Sequence, residues 1–338
     1  MKIKKSNIRD VANKAGVSIA TVSRILNGSP GFTETTKQSV EQAVSELNYR
    51  QSIGTLRKAK DSPFSVTLVV SDIDLMNPFY WELIRGFYDT LDVHSCSVDL
   101  RIYQGFKDTG MELADELRKS GTNGVVFIPG MNSDSRVFED AGRDFPVLFV
   151  DRLPREGNLC SVVSDNHLGS YQAAKYLVQL GHRRIAYMGS PDCLNTERER
   201  RAGFLNGLQE SGLTLAAENL IEGGFERRSA FEAMTKRLRN PYDFSAIFSS
   251  NDMMAFEVKE ALDQAGLRVP EDLSLMGYDN IPFSAALGLT TVDQRAYEIG
   301  RNALLLLLDY IQKRRNDPKS IVLSPGLIIR KSCGRAPS

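Results

Sequence analysis

The first fifty residues carry apolar positions at helical spacing between polar caps, a pattern that predicts three short helices. The first helix begins after Asn7 and ends at Gly16, which lacks a side chain and so allows a tight turn. The second begins at the cap Ser18 and ends at Asn27, and the third begins at Thr33. The inward apolar positions are Ile8, Val11, Ala12, Ala15, Val22, Leu26, Val40, Val44 and Leu47. Two short helices joined by such a turn are typical of a helix-turn-helix DNA reader.

Past residue 63, short apolar runs alternate with helical patterns, which predicts βαβ units and parallel sheets. The predicted strands are 65–71, 124–129, 147–151, 184–189, 246–250 and 274–279. The predicted helices are 79–92, 109–119, 166–180, 197–211, 228–239, 252–265 and 294–312. In open sheets of this kind, a small ligand binds beyond the carboxyl ends of the strands.

Polar residues follow several of these strands directly. Asp151, Asn251, Asp252 and Asp279 each stand at a strand's carboxyl end. Carboxylate and amide acceptors can bridge neighbouring hydroxyl groups, so the set suits a ligand rich in hydroxyls. Each residue also has a structural interpretation, with Asp279 in a turn and Asn251 or Asp252 as a helix cap.

The charge is unevenly distributed along the 338 residues. Residues 1–60 hold seven lysines and four arginines against one aspartate and three glutamates, while the whole chain has 42 charges of each sign. A basic end on an acidic remainder favours an electrostatic footprint on DNA. No apolar anchor accompanies the charge, so we expect no membrane partner.

Cysteine and histidine spacing argues against a metal site. The cysteines stand at 96, 160, 193 and 333 without a CxxC pair, and the histidines at 94, 167 and 182 show no ligand spacing. The Leu304–Leu308 run is too short to span a bilayer, and the start lacks an apolar signal core, so we expect a cytoplasmic protein with reduced thiols. An exported transport protein would need a signal peptide. An enzyme of the dehydrogenase type would need a GxGxxG turn, and neither feature is present.

The segment NIRDVANKAGVSIATVSRILNG resembles the DNA-binding headpiece of the lactose-repressor (LacI/GalR) family of bacterial transcription regulators. Further family landmarks are DNHLG (165–169), LGHRRIAYMGSP (180–191), RAGF (201–204), TTVDQ (290–294) and LIIRKSC (327–333), so the resemblance covers nearly the whole chain. It implies an all-α helix-turn-helix headpiece and an α/β periplasmic-binding-protein-like body of two parallel-sheet lobes. The implied domains are a headpiece (1–48), a hinge linker (49–62), lobe 1 (63–163 and 292–322), lobe 2 (164–291 and 323–332) and a tail (333–338).

The resemblance also implies which headpiece residues contact DNA. Ile19, Ala20 and Arg24 match positions that read base edges. An arginine can fork onto guanine O6 and N7, whereas isoleucine and alanine offer apolar contact, for instance to a thymine methyl group. The expected phosphate contacts are Lys5, Asn7, Ser18, Thr21, Ser23 and Asn27.

Family sugar sensors bind their effector with residues that match Asp151, Arg200, Asn251, Asp279 and Gln294, beside an aromatic wall at Phe225. The segment at the cleft mouth matches Leu75, Asn77, Pro78 and Trp81. We therefore expect a small-molecule effector, a sugar or sugar derivative, and no cofactor. The alternatives are that Phe225 and Trp81 belong to the core and that Arg200, within ERERR, lies on a solvated face.

The linker departs from the family pattern. Gln51 and Ser52 replace the usual Pro-Asn start, and Gly54 weakens a helix by roughly 1 kcal/mol relative to alanine. Leu56 is the candidate for the residue that wedges between base pairs in the minor groove, and a plain flexible linker is the alternative.

These features predict a non-enzymatic regulator, a repressor with an activator as the alternative. Its operator affinity depends on an effector that changes the arrangement of the two lobes. A homodimer would place two headpieces on a pseudo-palindromic double-stranded operator. The chain continues without a heptad tail after LIIRKSC, which favours a dimer over a tetramer. A phosphoprotein partner in place of a free sugar stays open.

Overall fold

The computed structural model describes residues 8–18, 21–22, 25, 33–46, 64–71, 77–91, 96–103, 110–130, 135–155, 159–191, 195–224, 226–313 and 318–337. The chain divides into two compact units, residues 1–55 and 56–338. Within the described ranges, no helix combines the length and apolar character that crossing a membrane requires.

The amino-terminal unit contains helices α1 (Ile8–Ala15) and α2 (Glu34–Glu46), with helical backbone at Thr21, Val22 and Ile25 between them. Its buried core consists of Val11, Ala12, Val22, Val40 and Ala43. Most of these are the apolar positions that the helical spacing predicts. Leu26 and Leu47 and the side chains of Ile8 and Val44 lie outside the described part of the chain.

Two predicted caps are confirmed in this unit. The backbone amide of Thr21 donates to Ser18 Oγ at 3.1 Å, and that of Thr36 donates to Thr33 Oγ1 at 3.3 Å. Gly16 has a φ of 67°, a left-handed conformation that a residue with a side chain rarely adopts. The tight turn after α1 therefore depends on this glycine.

The second unit alternates strands and helices in the α/β order that the apolar runs predict. Its strands are β1 (Phe64–Ser71), β2 (Cys96–Tyr103), β3 (Gly124–Pro129), β4 (Val147–Val150), β5 (Cys160–Ser164), β6 (Ile185–Gly189), β7 (Leu220–Glu222), β8 (Ala246–Ser249), β9 (Ser274–Met276), β10 (Thr291–Asp293), β11 (Ser320–Leu323) and β12 (Gly326–Ile328). Its helices are α3 (Pro78–Leu91), α4 (Gly110–Lys119), α5 (Arg136–Ala141), α6 (Asn166–Gln179), α7 (Asn195–Gln209), α8 (Ser229–Leu238), α9 (Asp252–Gln264), α10 (Pro282–Ala286) and α11 (Ala296–Lys313).

Ten of these strands form two parallel sheets, each covered by helices on both faces, and the remaining two, β10 and β12, form an antiparallel pair. The six-stranded sheet has the order β11-β5-β4-β3-β1-β2, with α3 and α11 on one face and α4 and α5 on the other. The four-stranded sheet has the order β7-β6-β8-β9, with α6 and α7 opposite α8 and α9. Four of the five leucines in Leu304–Leu308 are buried in α11. The second unit is thus a body of two α/β lobes.

The chain crosses between the two lobes three times, from β5 to α6, from β10 to α11 and from β11 to β12. Hydrogen bonds join these crossovers. The amide of Asp165 donates to the carbonyl of Leu323 at 3.0 Å, and Arg295 Nε donates to the carbonyl of Ser324 at 2.9 Å. The residue boundaries assigned to the lobes from sequence stay predictions.

Candidate functional site

A cavity of about 840 Å³ lies beyond the carboxyl ends of strands from both sheets. Asp151 follows β4, Ser190 follows β6, Asn251 follows β8 and Asp279 follows β9, and all four line it. Of the predicted effector contacts, those lining the cavity are Asn77, Pro78, Asp151, Arg200, Asn251, Asp279 and Gln294. The cavity size falls within the range of roughly 300–1,000 Å³ that is usual for small-molecule pockets.

Arg200 lies at the centre of the polar wall and is only 8% exposed. Its Nε donates to Asn166 Oδ1 at 2.8 Å, its Nη1 donates to the carbonyl of Ser250 at 2.6 Å, and its Nη2 donates to Gln294 Oε1 at 3.4 Å. Asp279 Oδ1 lies 3.4 Å from Nη1 and also accepts a hydrogen bond from Gln294 Nε2 at 2.7 Å. The solvated-face interpretation of Arg200 is therefore wrong.

The electrostatics of this wall follow from its burial. Burial alone would lower the pKa of Arg200, but nearby carboxylates, Asp279 foremost, outweigh it and raise the pKa above its ordinary value. The guanidinium is therefore a permanent charge fixed by protein groups.

Asp151 stands out among the lining residues. Its backbone has a φ of 59°, in the left-handed region that a non-glycine residue seldom occupies. Its Oδ1 is buried without a hydrogen-bond partner in the described part of the molecule. Burial raises the pKa of Asp151 to about 6, although Arg200 and Arg152 oppose the shift. A ligand that donates a hydrogen bond would satisfy this oxygen.

Asn251 combines the two roles that sequence reasoning set against each other. Its Oδ1 accepts from the amide of Met254 at 2.7 Å and so caps α9, while the residue also lines the cavity. Asp252 does neither. Its carboxylate is fully buried and accepts from the hydroxyls of Ser284 and Thr291, both at 2.6 Å, which fastens α10 and β10. Asp252 as a ligand residue is therefore corrected to a structural one.

The predicted place of Trp81 at the cavity mouth stays a prediction. Trp81 is 55% exposed on α3 and is absent from the cavity lining, which includes its neighbour Tyr80 instead. One residue along a helix rotates the side chain by about 100°, which separates the two directions. The core interpretation of Trp81 is wrong, because the side chain is largely exposed. Phe225 and Leu75 lie outside the described residues.

Sequence reasoning missed a buried carboxylate in this wall. Glu197 lines the cavity, is 3% exposed and accepts from the Tyr187 hydroxyl at 2.8 Å. Glu197 precedes Arg200 by three positions, and residues at this spacing share a helix face. The spacing from Arg200 could therefore have indicated that Glu197 lies in the same wall.

Few of the predicted DNA contacts fall within the described residues. Ser18 and Thr21 are described, and their hydroxyl oxygens lie 2.9 Å apart on an exposed surface. The contacts that lie outside are Lys5, Asn7, Ile19, Ala20, Ser23, Arg24, Asn27 and Leu56. Their roles stay predictions.

No histidine is among the described residues that line the cavity. No group of His, Cys, Asp or Glu in the described ranges is arranged to hold a metal ion. His182 is fully buried, with Nδ1 2.8 Å from Ser245 Oγ and Nε2 3.0 Å from Ser274 Oγ. Gly181, with a φ of 95°, ends the preceding helix. His182 thus packs the strands together.

The fold and its cavity define a two-lobed binding body of the periplasmic-binding-protein type. Residues 174–333 match the family described as a periplasmic binding protein-like domain, and residues 7–52 match the bacterial regulatory proteins of the lacI family.

Individual proteins match almost the whole chain. The HTH-type transcriptional repressor PurR of Mannheimia succiniciproducens is 31% identical over 330 residues, covering 97% of this chain and 98% of that protein. The structure of a transcriptional regulator CelR–cellobiose complex has a TM-score of 0.70 and 29% identity, covering 97% of this chain and 99% of that one. The lac repressor dimer bound to operator and the anti-inducer ONPF has a TM-score of 0.68 and 25% identity, with the same coverage.

The chain belongs to the lacI family of bacterial regulatory proteins. It is a DNA-binding transcriptional repressor regulated by a ligand. Its relatives are repressors rather than enzymes, and this protein is likewise not an enzyme.

Proposed function

We propose that the effector is a sugar or sugar derivative that binds in the 840 Å³ cavity. One observation carries the proposal: the predicted contacts Asp151, Arg200, Asn251, Asp279 and Gln294 all line this cavity. Carboxylate and amide oxygens converging from different strand ends suit several hydroxyl groups at once. The similarity to a regulator in complex with cellobiose supports the same class.

The headpiece supplies sequence recognition in this proposal. The protein acts in the cytoplasm as a homodimer whose two headpieces bind the half-sites of a pseudo-palindromic operator. Ile19, Ala20 and Arg24 read bases, and the remaining predicted contacts hold the phosphate backbone. The dimeric lac repressor bound to operator supports this arrangement.

Effector and operator are coupled through the body. A ligand changes operator affinity only by binding the DNA-competent and DNA-incompetent states unequally. Because the cavity is lined from both lobes, an effector would alter how the lobes meet and hence how the two linkers pair. Whether it releases or promotes DNA binding follows from which state it prefers.

The proposal is tested in two stages on the full chain. First, operator sequences are selected from randomised duplexes. Then operator affinity is measured with and without a panel of sugars and of purine bases. We expect a sugar to bind and to change operator affinity at least tenfold without being consumed. A response confined to purines would overturn the sugar assignment.

A purine-type effector is the second candidate, because the curated relatives are named PurR. The purine arm of the panel decides between the two classes. A phosphoprotein partner is the third, and binding of any small molecule in the cavity with an effect on operator affinity argues against it.

A further inference from the structure

The cavity wall is rich in negative charge. Its described lining contains five carboxylates and two guanidinium groups. The carboxylates are Asp151, Glu197, Glu226, Glu257 and Asp279, and the guanidinium groups are Arg200 and Arg227. Buried charges in proteins are normally paired, so each of these carboxylates is expected to have a partner that compensates its charge.

Two lining carboxylates are compensated outside the cavity. Glu257 accepts from the backbone amides of Arg228, Ala230 and Phe231 at 2.7, 3.1 and 3.3 Å, at the start of α8. Glu197 accepts from the Tyr187 hydroxyl, and its carboxylate lies 3.7 Å from Arg201 Nη2.

Two more are balanced within the cavity. Asp279 forms an ion pair with Arg200. The hydrogen bonds of Arg200 to Asn166 and Ser250 are also made to protein groups. Glu226 and Arg227 are adjacent, exposed and of opposite charge at the rim.

Asp151 is the carboxylate that remains. Its Oδ1 has no hydrogen-bond partner, and no ion pair of 4.0 Å or less joins it to the described residues. The charged groups around it are Arg200, Arg152 and Glu199. Arg200 is already engaged by Asp279, and Arg152 Nη2 donates to the carbonyl of Gly130 at 3.3 Å. Asp151 Oδ1 therefore lacks a donor among the described residues, and the raised pKa of this carboxyl indicates that the two guanidinium groups compensate its negative charge incompletely.

We propose that the effector supplies this donor together with a positive charge and is an amino polyol, such as an amino sugar, whose ammonium group donates to Asp151 while its hydroxyls contact Asn251 and Asp279. The inference rests on the proposed sugar function and narrows it. A phosphorylated or acidic sugar would place its anion among the carboxylates, so the same wall excludes it.

Sugars that differ from one another in a single substituent test whether the effector carries a positive charge. Glucose, galactose and mannose are compared by calorimetry at about pH 7 with their 2-amino, 2-N-acetylamino and 6-phosphate derivatives. The N-acetyl form keeps the nitrogen but removes its charge. We expect at least one amino sugar to bind ten times or more tighter than both its hydroxyl and its N-acetyl counterparts, and the phosphates to bind weakest. The inference is overturned when no amino sugar in the panel binds more tightly than its hydroxyl counterpart.

Two variants locate the effect. Asp151→Asn removes the charge with little change of shape, and we expect it to abolish the preference for the amino form. Glu222→Gln, at an exposed residue outside the cavity lining, is the matched control and should retain the preference. Urea unfolding of each variant verifies the fold. A preference that survives Asp151→Asn overturns the assignment to Asp151.

The two proposals fail in different ways. Hydroxyl sugars that bind as tightly as amino sugars leave the sugar proposal standing and remove the charge inference. Binding of adenine or guanine without binding of any sugar removes the sugar proposal itself.

Discussion

The guanidinium carbon of Arg200 lies 4.0 Å from the centroid of the Tyr278 ring, within the range of a strong cation–π contact. The ring belongs to a residue that is fully buried, and Asp279 next to it pairs with the same guanidinium. Arg200 is thus held by a ring face as well as by its hydrogen bonds. Its position in the cavity is fixed before any ligand arrives.

Replacing Arg200 by lysine should therefore be costly. Arg200→Lys keeps a charge near Asp279 but loses the planar stack on Tyr278 and the forked donors. We expect the free energy of unfolding to fall by about 2–4 kcal/mol, measured by urea denaturation. Arg198→Lys, at an exposed position of the same helix, is the control and should change it by less than about 0.5 kcal/mol. Equal effects of the two variants would contradict this account.

Asp151 should reduce the stability of the ligand-free protein near neutral pH. Its pKa is raised from 3.8 to about 6 by burial, so the folded state binds the proton more tightly than the unfolded chain. The resulting stabilisation is present below about pH 4 and is lost as the pH rises through about 6. Asparagine at this position does not titrate, so its contribution to stability does not change with pH.

We accordingly expect Asp151→Asn to gain stability relative to the wild type between pH 4 and 7, by up to about 3 kcal/mol. Urea unfolding at several pH values measures the gain. Asp140→Asn, whose parent carboxylate is 55% exposed, should show no comparable trend. A constant difference between wild type and Asp151→Asn across this pH range would refute the prediction.

Two glycines set the distance between α3 and α11. A Cβ at Gly86 would overlap the carbonyl oxygen of Tyr297, and a Cβ at Gly300 would overlap that of Leu83. Backbone atoms cannot move aside as a flexible side chain can, so Gly300→Ala should cost about 3 kcal/mol or more of unfolding free energy. Gly326→Ala, where an added Cβ meets no atom within 4 Å, is the matched control and should be nearly neutral. Thermal unfolding of both variants checks the difference.

Two substitutions of Ser18 distinguish its role as a helix cap from its predicted contact with DNA. Ser18→Ala removes the acceptor of the Thr21 amide and should cost about 1 kcal/mol of headpiece stability. Ser18→Asp keeps an acceptor at the cap but adds negative charge where a phosphate contact is predicted. We expect Ser18→Asp to retain its helix content by circular dichroism and to lose most of its operator affinity. Retained affinity would show that Ser18 does not contact the backbone of DNA.

The strands that sequence alone predicts are largely buried on both faces. β3 and β4 are fully buried along their whole length, so their sequences are continuous apolar runs. Most of the strands that were missed lie at sheet edges or are only three residues long. β5 is the exception: it is fully buried between β11 and β4, but its sequence CSVVS places serines on both sides of its two valines and so forms no long apolar run. β2 and β11 occupy the two edges of the six-stranded sheet, where Asp99 and Arg101 are half-exposed and Ser320 is exposed. Edge strands need no unbroken apolar run, so periodicity does not reveal them.

Part of the candidate site can be predicted from the sequence, because some of its residues directly follow predicted strands. Asp151, Asn251 and Asp279 follow strands directly, and a parallel sheet brings its strand ends together. Arg200 offers no such signal, because the charged residues around it in ERERR are typical of a solvated helix. Its burial follows from contacts with Asn166 and Gln294, which are 34 and 94 residues away in sequence. Local patterns carry no information on partners at such distances.

The hydroxyls of Ser161 and Ser320 hydrogen-bond at 2.7 Å although 159 residues separate them. The last strand of the six-stranded sheet is therefore synthesised well after every strand of the four-stranded sheet. During translation, both lobes therefore stay incomplete until the carboxyl-terminal residues appear, because the second lobe also needs β12 and Ser332, whose carbonyl accepts from the amide of Leu275 at 2.8 Å. A premature stop between 277 and 319 would thus leave both lobes unfinished, and the uncovered strand edges at β5 and β9 would favour aggregation or proteolysis.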